Sequence, residues 1–340
     1  MADSQTEARK RSGLAVLLIM LVSLLPLVVQ HGYVLRILIM ISYFAVASYG
    51  WDVIGGYAGQ LSLGQAAFFS IGAYAAASAY LIWKLSPAVG ALAGVGLAAL
   101  LALGLGSLVL RLRGPYFTLS TLAAAEVVRI LLLHFKSITG GAEGRVIPYT
   151  GFNLSALQFA TDRPYYYIAV ALLALAIWTS YQVSRSRLGF QLAAIRNDED
   201  AAESVGINLM SAKVKAFVIS ACLTALAGAF YVIYDRYIDP YSTCSSEVSV
   251  KILLIALVGG RRSIWGPLLG AVLLIPLTEL TNAYFASIRA GASMVVYSII
   301  LIIVVLYAPD GLIRVLRRRP SRGAVTLQPG PKGRNSHASA

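Results

Sequence analysis

The amino-acid sequence predicts an all-α polytopic membrane fold of about ten transmembrane helices, in a range of eight to ten, with glycine-rich broken or re-entrant segments. Three observations predict it. Of the 340 residues, 58% are hydrophobic and 13% charged, against roughly 25% charged in an ordinary soluble domain. Too little charge remains to clothe a solvated surface, so lipid is the expected solvent of the outer face. The apolar residues fall in runs close to the roughly 20 helical residues that cross a hydrocarbon layer about 30 Å thick. Between those runs lie polar segments that hold most of the 28 Lys and Arg residues.

The runs lie at 14–30, 33–50, 65–83, 88–110 and 116–135, then at 165–182, 214–234, 248–258, 266–285 and 292–308. The first carries a basic flank, Arg9, Lys10 and Arg11, like a secretory signal. No small-residue cleavage site follows and a second run starts at once, so it is expected to be a retained span. The eighth is short for a full crossing and is expected to be broken or re-entrant. Basic residues gather in alternate loops: Arg111 and Arg113, the stretch from Arg185 to Lys215, Arg261 and Arg262, and the tail from Arg317. The positive-inside rule then places both termini in the cytoplasm. The expected division is a cytoplasmic N-terminus at 1–13, a transmembrane domain at 14–310 with a cytoplasmic loop at 183–213, and a basic tail at 311–340. That tail, rich in Pro, Gly, Ser and Arg, is predicted to be disordered and to touch anionic lipid heads.

Net charge is +13, but no basic stripe carries the interleaved aromatics of a nucleic-acid surface, which excludes that class of partner. Cys222 and Cys244 form neither a disulfide framework nor a metal-ligand spacing.

Five stretches carry information. From Ile54 to Phe68, glycines 55, 56, 59 and 64 join Gln60, Ser62 and Gln65 in an otherwise apolar region. Non-helical backbone at membrane depth needs protein or a water-filled cavity to satisfy it, so this segment is expected to line a pathway; packing of the glycines is the alternative. A second interruption, Gly259-Gly260-Arg261-Arg262 and on to Gly266-Pro267, hints at a repeated architecture. Pro115 starts a helix in which Tyr116 and Thr118 lie near the first turn, and Glu126 can meet Arg129 three residues on. An intramembrane charged pair marks function by default, whereas near His134 and Lys136 it equally suits snorkelling to an interface. Gly140 and Gly141 fall in an expected external loop. From Leu192 through Ile195 and Arg196, the chain reaches Asn197 or Asp198, either able to cap a short helix with Glu199 and Asp200 in its acidic first turn. Ala201, Ala202, Glu203 and Val205 follow, and Gly206 is suited to ending it. Its apolar side can dock on a soluble partner.

No phosphate-binding loop, H-E-x-x-H or nucleophile elbow is present, and the three histidines are scattered. No catalytic, cofactor-binding or metal-binding residue is therefore assigned, and any ATP must be hydrolysed by another subunit.

In family order, the stretches Gly56-Tyr57-Ala58-Gly59-Gln60-Leu61-Ser62-Leu63-Gly64-Gln65-Ala66-Ala67-Phe68, Arg113-Gly114-Pro115-Tyr116-Phe117, Thr139-Gly140-Gly141, Ala201-Ala202-Glu203-Ser204-Val205-Gly206-Ile207 and Gly266-Pro267-Leu268-Leu269-Gly270-Ala271 resemble the permease subunits of branched-chain amino-acid (Liv-type) ABC importers. The resemblance implies a second, related permease, two cytoplasmic ATPases that bind ATP and Mg, a periplasmic or lipid-anchored solute-binding protein, and a bacterial or archaeal inner membrane. It also implies that 192–207 couples to the ATPase, through Leu192, Ile195, Arg196, Asp198, Glu199, Ala201, Ala202, Glu203 and Gly206. The expected translocation path is Gly55, Gly56, Gly59, Gln60, Ser62, Gly64, Gln65, Tyr116, Thr118 and Glu126. Many relatives carry histidine at the position of Gln65, and the family includes permeases for urea and short amides, so the solute is left open. An ion-coupled secondary transporter is the rival, with Glu126, Lys251 and Glu279 as its available ionisable residues.

Overall fold

The protein is described by a computed structural model over residues 32–149, 151–153, 156–285, 298–299, 302 and 311–313. The expected span at 14–30, nearly all of that at 292–308, and the tail from 314 lie outside the described residues.

Apolar runs bounded by capping residues and prolines become the helices. Helix α1 (Gly32–Trp51) continues into a π-helical turn, Asp52–Tyr57, and an irregular stretch then leads to α2 (Gln65–Leu81). Ser86 caps α3 (Pro87–Val109) and Gly114 precedes α4 (Pro115–His134), each helix opening on a proline whose missing amide proton costs nothing there. A short strand, β1 (Arg145–Val146), pairs antiparallel with β2 (Tyr237–Ile238). Between them run α5 (Asp162–Arg185), α6 (Arg187–Asn197), α7 (Glu199–Ser204) and α8 (Leu209–Asp235). The short eighth run, 248–258, is unbroken, against expectation: it forms one helix, α9 (Ser246–Gly259) capped by Ser245, and a separate turn at Pro240–Thr243 capped by Asp239 precedes it. Helix α10 (Gly266–Phe285) follows.

Among the described residues seven helical stretches are long and apolar enough to cross a membrane. Helix α2 is not one of them; its 17 residues reach about 26 Å at 1.5 Å per residue. The molecule is thus a mostly helical, polytopic membrane protein, built around α1 and α8. Those two are the most enclosed of the seven stretches, at 83% and 67% buried, whereas α3 and α4 are 22% and 17% buried. The outer helices turn leucines such as Leu92, Leu100 and Leu119 outward, as a lipid-facing or partner-facing surface requires.

Helices α2 and α8 cross at backbone contact. A Cβ on Gly72 would overlap the Ala225 carbonyl, and one on Gly228 the Phe69 carbonyl, so only glycine permits this approach. The loops sort by end. Asp52–Gly64, Gly114, α6–α7 and Gly260–Arg262 gather at one end, and β1, β2 and Gly140–Gly144 at the other.

Candidate functional site

A cleft of about 610 Å³ opens at the first of these ends, between Ala58–Leu61, the start of α4 and the α6–α7 junction. Its floor follows from local chemistry. Asp198 caps α7 by accepting from the Ala201 amide at 2.9 Å, which turns Glu199 and Asp200 into the helix's positive end. Gly206 closes the segment at φ +86°, a conformation that L side chains rarely adopt.

Glu199 is the knot of the site. Its Oε1 accepts from Gln60 Nε2 at 3.0 Å and from the buried ammonium of Lys213, on α8, at 2.6 Å. Its Oε2 lies 3.3 Å from Arg113 Nε, and Arg113 also donates to Asp200 at 2.9 Å. That bond to Asp200, with the charges of Asp200 and Glu199, holds the Arg113 guanidinium above its usual pKa. One carboxylate therefore joins the glycine-rich break, the α3–α4 loop, the short helix α7 and α8. Behind it, Gly59 takes φ +74° with Arg196 Cγ against the place of its missing Cβ. Burial, then the like charges of Arg262 and Arg261, lower the pKa of Arg196.

The break itself is sealed by protein. The Leu61 carbonyl accepts from Thr118, the Ser62 carbonyl from Trp51 Nε1, and Thr121 Oγ1 accepts from the Leu63 amide. The two glycine-rich interruptions also meet. Both carboxylate oxygens of Asp52, fully buried, accept from the Arg262 amide at 3.1 and 3.2 Å, and Gly56 leaves room for that contact. Tyr49 adds a 2.6 Å bond to the Ile264 carbonyl.

The expected path residues consequently divide. Gly59, Gln60 and Thr118 line the open cleft. Gly55 packs on Trp51, Gly56 on Asp52 and Gly64 on Thr121. Ser62 is buried, and so is Gln65, whose amide donates to Ser220 at 3.1 Å and accepts from Thr224 at 2.8 Å, both on α8. Tyr116 faces outward, and Glu126 pairs with Arg129 well along α4, away from the cleft. The expected coupling residues divide likewise. Arg196, Asp198 and Glu199 line the cleft, and Ala201, Glu203 and Gly206 are exposed. Leu192, Ile195 and Ala202 turn into the molecule's own core, because the apolar face of α6–α7 packs on α8 and the π-helical turn. The apolar side chains left outward are Val205 and Phe190; Phe190 went unnoticed in the sequence. So did Asp52 and Lys213, although an acidic residue closing an apolar run and a lysine opening one are both costly enough to point to a partner.

A family model described as branched-chain amino acid transport system, permease component, matches residues 33–305. The chain belongs to this permease family. Within it, LivM, the high-affinity branched-chain amino acid transport system permease protein of Escherichia coli strain K12, is 30% identical over 335 residues, covering 91% of this chain and 76% of that protein. LivM of Salmonella typhimurium is 32% identical over 86% of this chain and 72% of its own length. LivH of Salmonella typhimurium, another permease protein of such a system, is 29% identical over 57% of this chain and 64% of itself. No solved structure matches this permease.

Proposed function

We propose that this permease is a membrane subunit of an ATP-binding-cassette importer for branched-chain amino acids in a bacterial or archaeal inner membrane. It spans the membrane about ten times with both termini cytoplasmic. A second, related permease pairs with it, two cytoplasmic ATPases bind ATP and Mg, and a periplasmic or lipid-anchored protein delivers the solute. The similarity to both LivM and LivH supports two related membrane subunits.

The observation that carries this proposal is the Glu199 knot. A cytoplasmic motor pressing on Val205, Glu203 and Phe190 pulls, through one carboxylate, on Gln60 in the break and on α8 in the core. The helices then tilt between two packings, and the path opens to one side at a time. This mechanism needs no covalent chemistry from the permease.

Membrane vesicles carrying the complete importer are expected to accumulate labelled leucine, isoleucine or valine only with ATP and the binding protein present. Uptake driven by an ion gradient without the ATPases would replace this assignment with a secondary transporter. A preference for urea or short amides would overturn the solute. Replacing Glu203 with lysine or Gly206 with a bulky residue is expected to uncouple ATP hydrolysis from uptake while membrane insertion stays intact; unchanged uptake defeats the coupling role. A reporter fused after Pro320 is expected to stay cytoplasmic, and an external signal there reverses the topology.

A further inference from the structure

At the end of the molecule opposite the Glu199 knot, a second cleft of about 380 Å³ opens between α1, α2, α8 and the start of α9. Its volume lies within the range of small-molecule sites, roughly 300–1,000 Å³. One wall is aromatic. Tyr43 and Phe44 lie 4.7 Å apart, Phe44 stacks on Phe69 at 6.5 Å, and Tyr231 closes on Tyr43 at 5.8 Å and on Phe69 at 5.4 Å.

The rim beside it is charged and balanced. Glu247 and Lys251 are four residues apart on α9, so they share one face, and both line the cleft. Neither has an ion-pair partner within 4 Å among the described residues. Lys251 Nζ instead sits 4.3 Å from the centroid of the Phe44 ring. Across the cleft Arg36 and Asp235 approach each other at 3.9 Å. Glu279 on α10 acts on the half-buried Lys251 ammonium only from beyond ion-pair distance, and an ammonium so weakly held is costly in a membrane protein, where such groups are held by a partner or mark a ligand. Two cations and two anions on one rim disfavour a ligand with net charge of either sign. A carboxylate and an ammonium on the same small molecule match the unspent pair, and an apolar side chain matches the wall behind it.

We infer that this cleft is a solute site on the permease itself. It takes a zwitterionic amino acid with an apolar side chain, the carboxylate on Lys251, the ammonium on Glu247 and the side chain against Phe44 and Phe69. The inference rests on the amino-acid importer assignment and deepens it: the membrane subunit takes part in selecting the solute instead of only passing what the binding protein releases.

The test is equilibrium binding of labelled leucine to the purified, complete permease–ATPase complex in phosphatidylglycerol nanodiscs, without the binding protein. Saturable binding is expected. Lys251→Met and the rim variant Glu247→Gln are each expected to weaken it about tenfold or more, as the loss of one charge-assisted hydrogen bond implies. Lys251→Arg, which keeps the charge, is expected to retain binding, and exposed Lys84→Met to leave it unchanged. Glu247→Gln removes no buried contact, so a folding defect does not obscure the result. Absent leucine binding, or binding indifferent to both Lys251→Met and Glu247→Gln, overturns the site. Leucine binding abolished when phosphatidylethanolamine replaces phosphatidylglycerol identifies a lipid headgroup site and overturns it too. ATP-driven leucine uptake by the intact importer separates the two levels. Uptake without permease binding sinks this inference alone, while no uptake by the unaltered importer sinks the importer assignment.

Discussion

In the assembled importer, Glu199→Ala is expected to reduce solute uptake by about 5- to 150-fold, the span of a typical coupling free energy of about 1–3 kcal/mol, while ATP hydrolysis continues. The substitution removes the acceptor shared by Gln60 and Lys213 and the partner of Arg113 Nε. Force applied to α7 then has no polar link to the break or to α8. The same change exposes a second effect, because the Lys213 side chain is only 4% exposed. Stranding a fully buried charge costs about 3–5 kcal/mol; Glu199 itself is 18% exposed, so water offsets part of that cost here. Adding Lys213→Met removes the orphaned ammonium. The double variant is therefore expected to regain thermal stability in detergent without regaining uptake. Uptake that recovers along with stability would mean that Glu199 matters only for folding, and undiminished uptake in the single variant would remove it from the mechanism.

Much of this architecture was legible in the chain because it depends on local chemistry. Pro87 and Pro115 mark helix starts, and the apolar runs at 33–50, 88–110, 116–135, 165–182 and 214–234 emerge as helices within a few residues of those limits. The acidic short helix with Gly206 at its end follows from capping rules alone, and of the two caps those rules allow, Asn197 and Asp198, the structure uses Asp198. What was not legible is which way each face turns. Helix α7 has six residues, too few for a periodic pattern to distinguish an inward Ala202 from an outward Val205. The break at 54–64 has the composition of a pathway, yet its carbonyls and amides are met by Thr118, Thr121 and Trp51, residues that only the fold brings near. Asp52 illustrates the same limit. Its partner is the backbone amide of Arg262, 210 positions away, and a backbone amide leaves no signature in the sequence.

Gly228→Leu is expected to do the most damage to the folded state. At the α2–α8 crossing the obstacle to a side chain is the Phe69 carbonyl, and on the reciprocal face Gly72 meets Ala225 in the same way. Overpacking costs about 1–3 kcal/mol where neighbouring side chains can yield; backbone cannot, so the helices must separate and the cost reaches or exceeds that upper end. Separation also breaks the bonds of Gln65 to Ser220 and Thr224, which otherwise fasten the start of α2 to α8. Because Lys213 ties α8 to Glu199, the α2–α8 pair is the body that a pull on the knot moves, and a loosened crossing loses both stability and transmission. Gly228→Ala is expected to be intermediate, since its Cβ alone overlaps the carbonyl. Gly96→Leu and Gly104→Leu on α3, where nothing lies within 4 Å of an added Cβ, are expected to leave the melting temperature and the monodispersity of the detergent-solubilised protein unchanged. Equal behaviour of Gly228→Leu and Gly96→Leu in that measurement would refute the crossing as a point of backbone contact.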